Sequence, residues 1–171
     1  MGAFTKCIIR SGFATVYTPG SVTPTTASKA TKQSPAELEL GSGTGASNCD
    51  IEYLGQRTLG ASANETLDLR GGLTDAFGTT LQFVSVKGIW IKASSSNTNS
   101  VIFKPAAADS FLIGFGAAAH QFTIPPGGVF MVTYPTTGWA PGAAATDDIY
   151  FENSAAGSSV VYDLHIVGST A

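Results

Sequence analysis

Val160, Tyr162, Leu164 and Ile166 alternate with Val161, Asp163, His165 and Val167. This period of two turns one nearly apolar face inward and predicts a β-strand. Ile149 and Phe151 alternate in the same way with Asp148, Tyr150 and Glu152. Between the two runs lies NSAAG, residues 153–157, with the length and chemistry of a hairpin loop, so the last two strands are expected to pair antiparallel. Further strands are predicted near Val129 to Tyr134, His120 to Ile124, Phe111 to Phe115, Val101 to Lys104, Leu81 to Lys92 and Glu65 to Leu69, with another possible at Ile51 to Arg57. In LQFVSVKGIWIK the apolar parity changes midway, and Gly88 points to a bulge, a bend or a strand buried on both faces. Short strands separated by turn chemistry, with no segment that reads as a helix, predict an all-β fold: an antiparallel β-sandwich of jelly-roll type.

The first part of the chain breaks this pattern. Residues 1–36 hold Lys6, Arg10, Lys29 and Lys32 and no acid, a charge of +4, whereas the remainder carries −7. Pro19, Pro24 and Pro35 stand among many Thr and Ser, a mixture expected to resist both helix and packed sheet. Residues 1–48 are therefore read as an extended basic N-terminal arm and residues 49–171 as the β-sandwich domain. Phe4, Ile8, Ile9, Phe13, Val16 and Tyr17 would supply apolar contacts to a docking partner, while Lys6 and Arg10 set approach and orientation.

Composition narrows the function. At 171 residues and 43% hydrophobic, the chain has the length of one domain and ample material for a core. No run of 18 apolar residues predicts a membrane span. Lys6 and Arg10 interrupt the first apolar stretch, so no signal peptide is expected, and Lys6 also stands where a myristoylation signal needs Ser or Thr. Without an export signal, Cys7 and Cys49 are expected to be reduced and partly buried, although a bond between them is possible.

Candidate chemistry is sparse. Gly114, Gly116 and Ala119 spell G-x-G-x-x-A, but Pro125 and Pro126 follow too soon for the helix that a dinucleotide site requires, so these small residues are expected to turn the chain. GSGTG at 41–45 lacks the lysine of a phosphate loop and reads as a linker. His165 should point away from the core, His120 shares parity with Phe122 and Ile124, and two scattered histidines do not build a metal site. Asp147 and Asp148, as strand neighbours, should face opposite ways. Trp139 is read as an anchor under a long loop. Neither catalytic residues, a metal, a cofactor, nucleic acid nor a membrane is expected.

The segment from about Glu65 to Gly168, with LDLRGGLTDAFGTTLQF, SSNTNSVIF, IPPGGVFMV, TTGWAPG and DIYFENSAAGSSVVYDLHIVG, resembles the small all-β virion proteins of tailed bacteriophages, in particular the jelly-roll cement or decoration proteins of phage heads. The resemblance implies a non-enzymatic protein made in the bacterial cytoplasm and seated as a trimer on the capsid surface, with the major capsid protein as partner. A receptor- or carbohydrate-binding module displayed on a phage particle or tail is the alternative, to be recognised by aromatic residues exposed on one concave sheet. A jelly-roll hydrolase would instead show two carboxyl groups facing each other in a cleft.

Overall fold

The computed structural model describes residues 6–17, 30–143 and 146–171; the expected arm residue Phe4 lies outside them. The described residues contain no helix. Among the described residues thirteen strands run in chain order: β1 (Lys6–Tyr17), β2 (Ala30–Ser42), β3 (Asn48–Cys49), β4 (Ile51–Leu59), β5 (Asn64–Asp68), β6 (Leu73–Thr74), β7 (Thr80–Leu81), β8 (Ser85–Ala93), β9 (Val101–Pro105), β10 (Phe122–Ile124), β11 (Val129–Thr133), β12 (Asp148–Asn153) and β13 (Val160–Ser169). One four-stranded antiparallel sheet has the order β11-β8-β13-β4 and another the order β10-β9-β12-β5.

Alternation explains why the two sheets form a sandwich. Val160, Tyr162, Leu164 and Ile166 are all fully buried, as are Ile149 and Phe151, and both sets belong to one core. Rings meet across the layers: Phe151 stacks on Tyr162 at 4.7 Å, and Phe103 lies 5.5 Å from Phe130. Such contacts add to the stabilisation from removing large apolar areas from water.

At three places the architecture differs from the sequence pattern. First, β12 and β13 do not pair with each other; β12 lies between β5 and β9, and β13 between β4 and β8. The NSAAG segment instead crosses from one sheet to the other. Asn153, itself buried, fixes this crossing by donating to the carbonyls of Gly60 and Ser158, both at 2.8 Å. Second, Phe111, Ile113 and Phe115 are buried in alternation but form no strand, because Gly114 has φ +69° and the Phe115 N–H turns back to the Leu112 carbonyl. The expected turn of small residues is therefore present, and no helix follows it. Third, the long Leu81 to Lys92 run is two strands, β7 and β8, separated at residues 82–84.

The irregularity expected near Gly88 is present as a bulge. Val167 faces Gly88 while Gly168 faces Val86, so Lys87 is skipped as a bulge. Lys87 is buried, and its ammonium donates to the Thr136 carbonyl at 2.8 Å. The bulge also needs Gly168: a side chain there would stand against the Ser85 carbonyl and 2.8 Å from the Phe83 ring. Trp139 meets its expectation, packing against the core beneath the loop while exchanging backbone hydrogen bonds with Val86.

The N-terminal segment is extended, but its described part is paired sheet. β1 and β2 form an antiparallel hairpin from Lys6↔Gly41 to Tyr17↔Ala30, and β3 joins β2 in parallel. Composition pointed away from pairing, yet β-branched and aromatic residues such as Ile8, Ile9, Phe13, Val16 and Tyr17 favour a pleated conformation, and the long register satisfies their backbone groups mutually. At the hairpin's root, Cys7, Leu40, Cys49 and Val167 form a second buried cluster, against which Ile9 and Leu38 pack.

Candidate functional site

The hairpin root rests on the outer face of the β11-β8-β13-β4 sheet and leaves a groove of about 230 Å³. Strand pairing places Met131, Trp90, His165 and Leu54 in one row across that face, with Thr133, Gly88, Val167 and Glu52 in the next. Gly88 gives the hairpin room, since a Cβ at this position would lie 3.1 Å from Ile9 Cδ1 and 3.3 Å from Val167 Cγ2. Cys7, Ile8, Ile9 and Arg10 form one wall; Trp90, Met131, Thr133 and His165 belong to the sheet side. Their chemistry is mainly apolar, with polar groups at the rim. Arg10 pairs with Glu37 across the hairpin at 2.9 Å, both side chains well exposed, and His165 Nε2 lies 3.2 Å from Glu52 Oε2.

Of the expected docking residues, Ile8, Ile9 and Arg10 therefore come together at one groove. Lys6, Phe13 and Tyr17 are placed by backbone register alone, opposite Gly41, Ser34 and Ala30. The sheet half of the groove was not anticipated as a site. Its signal was nevertheless visible: Trp90 and His165 occupy outward positions of strands whose neighbouring residues, Ile89, Ile91, Leu164 and Ile166, face the core. His165 does point outward as expected, whereas His120 lies in an exposed loop before β10.

A second cluster lies elsewhere. Donor oxygens of Asp68, Asp147 and Asp148 lie within 4.8 Å of one another, the set of described residues whose geometry could hold a hard cation. The expectation that the two neighbouring aspartates face apart is corrected here, because Asp147 precedes β12 and strand alternation does not apply to it. Asp147 is also committed through its carbonyl, which accepts from Leu69 N–H. Burial, followed by the charges of Asp147, Asp68 and Asp109, raises the Asp148 carboxyl above its ordinary range. The folded protein thus binds more protons than the unfolded chain in that window, and this contribution to stability is lost as pH rises through it. Asp148→Asn is expected to raise the thermal midpoint at pH 7, with the gain shrinking as pH falls towards about 4. An unchanged or lower midpoint at pH 7 would show that the charge is compensated.

The chain matches no known protein-family model and no curated protein.

Proposed function

We propose that the chain is a non-enzymatic structural protein of a tailed-bacteriophage virion, a cement or decoration protein that binds the outer surface of the head. The observation carrying this reading is a paired N-terminal hairpin, rooted on the outer sheet of a β-sandwich, whose segment brings excess positive charge to an acidic body. Among the described residues β1 is a sheet edge, so such a hairpin offers a neighbour both backbone groups to pair with and a steering charge. The strand order supports a jelly roll, since connections from β4 to β13 pass between the sheets except at β9–β10 and at the short pair β6–β7. The proposed partners are the major capsid protein and further copies of this chain, assembled as a trimer on the virion.

A receptor- or carbohydrate-binding module is the second reading, favoured by the half-buried Trp90 at the groove. Two variants test the first: deletion of residues 1–36, and the combined change of Lys6, Arg10, Lys29 and Lys32 to Gln. The Arg10–Glu37 pair is solvent-exposed and worth at most about 1 kcal/mol, so the Gln variant should keep its fold. Deletion is expected to weaken retention on heads stripped of the protein by at least about tenfold, and the Gln variant to flatten its salt dependence. Undiminished retention of both variants across salt concentrations would overturn the docking role.

A further inference from the structure

Cys7 and Cys49 come from strands on either side of β2, one at the beginning of the hairpin and the other in β3, separated from β4 by Asp50. Both thiols are free and buried, and they share a small cluster whose other members, Leu40 and Val167, are apolar. The two thiols lie close enough in this cluster for each to perturb the other's ionisation. These are the two cysteines of the chain, and the fold brings them together across a long sequence separation.

We propose that Cys7 and Cys49 are a redox latch: a reversible disulfide between them fastens the N-terminal hairpin to the sandwich once the protein meets an oxidising environment. The inference does not depend on a virion role. A low-molecular-weight disulfide such as oxidised glutathione is the oxidant. The Cys7 thiolate attacks one glutathione sulfur, breaking the glutathione S–S bond and expelling a glutathione thiolate, which takes up a proton. The Cys49 thiolate then attacks the Cys7 sulfur and expels the second glutathione thiolate. Two protein thiols are oxidised, and one glutathione disulfide is reduced to two thiols.

The environment sets the order and the pace. Cys7 lines the groove, whereas Cys49 is completely enclosed, so an external disulfide reaches Cys7 first. Burial raises both thiols, Cys49 to about 12, and their mutual interaction favours ionisation of Cys7 over that of Cys49. The pair is consequently stable as thiols in a reducing compartment and closes slowly outside it. When closed, it restricts the unfolded chain across a large loop, which should make the hairpin root harder to open.

Full-length protein purified under reducing conditions is incubated with oxidised glutathione under native conditions. Free thiols should fall from two per chain to none. Peptide mapping without reductant should find Cys7 joined to Cys49 within one chain, and the urea midpoint should rise and return on reduction. Cys49→Ala should stop at a mixed disulfide on Cys7, while Cys7→Ala should react at least about tenfold more slowly, as expected for a buried thiol with no exposed partner. Should either variant misfold, the wild-type map still decides. Two persisting thiols, a glutathione adduct as the end product, or a link between chains would each overturn the proposal.

Discussion

Replacing Phe103 with alanine is expected to destabilise the protein by about 4 kcal/mol and to lower its thermal midpoint by roughly 10 °C. Phe103 is fully buried in β9, where its ring lies 5.1 Å from Phe115, 5.5 Å from Phe130 and 5.2 Å from Phe151. Phe151 in turn stacks on Tyr162. One truncation therefore empties space shared by β9, β11, β12 and the segment around Phe115. A rigid sandwich cannot collapse fully onto that space, so the lost contacts add to the lost transfer free energy. Phe77→Ala is the matched control, as that ring is 93% exposed and its removal should leave the urea midpoint nearly unchanged. Equal effects from the two substitutions would mean that the core is not organised around Phe103.

Glu65→Ala is expected to cost about 3 kcal/mol by a different route. Glu65 links β5 to the edge of the other sheet: Arg57 Nε donates to Glu65 Oε2 at 2.7 Å with a second bond from Nη2, and the Tyr162 hydroxyl donates to Oε1 at 2.6 Å. Arg57 Nη1 also donates to the Tyr53 hydroxyl at 3.0 Å. The Glu65 carboxylate and these hydrogen bonds hold Arg57 in its charged form, while burial, reinforced by Glu65, pushes the Tyr162 phenol far above its ordinary range. Truncation leaves a partly buried guanidinium and a buried hydroxyl without their acceptor, and that loss exceeds the modest value of an intact pair. In a double-mutant cycle with Arg57→Ala, urea unfolding should give a coupling of at least about 1 kcal/mol. Strict additivity would show that the two sheets are not joined energetically through this network.

Much of the β character was legible in the residues, because burial on a strand repeats every second position. Val160 to Ile166 and Ile149 to Phe151 needed no tertiary information to reveal their inward faces. Period two does not say which sheet a strand enters, however. A loop such as NSAAG fits a hairpin equally well before Asn153 is known to bind Gly60 and Ser158. Phe111 to Phe115 shows the converse: alternating burial can arise in a turn when Gly114 adopts positive φ. Half of the candidate groove was visible in Ile8, Ile9 and Arg10. The other half depended on cross-strand pairing, which aligned Met131, Trp90 and His165 from three distant segments. Gly88 is legible in the sequence as a backbone irregularity, although the missing side chain also admits Ile9. The Asp68, Asp147 and Asp148 cluster was hidden because Asp147 lies just outside the strand.

The strand order also bears on how the chain reaches its native state. Apart from β9–β10, the neighbours within the two large sheets are distant in sequence: β4 must find β13, β5 must find β12, and β8 must find both β11 and β13. Few of these contacts can form before long loops have closed, so the sandwich should fold on the order of milliseconds to seconds, as non-local β topologies do. The N-terminal hairpin is a local exception, since β1 and β2 are consecutive. Its pairing can begin while the two large sheets are still assembling, leaving an exposed strand edge before the root has a finished surface on which to settle. Intermolecular pairing through β1 is the characteristic hazard of this architecture, because among the described residues β1 is still a sheet edge when the sandwich is complete.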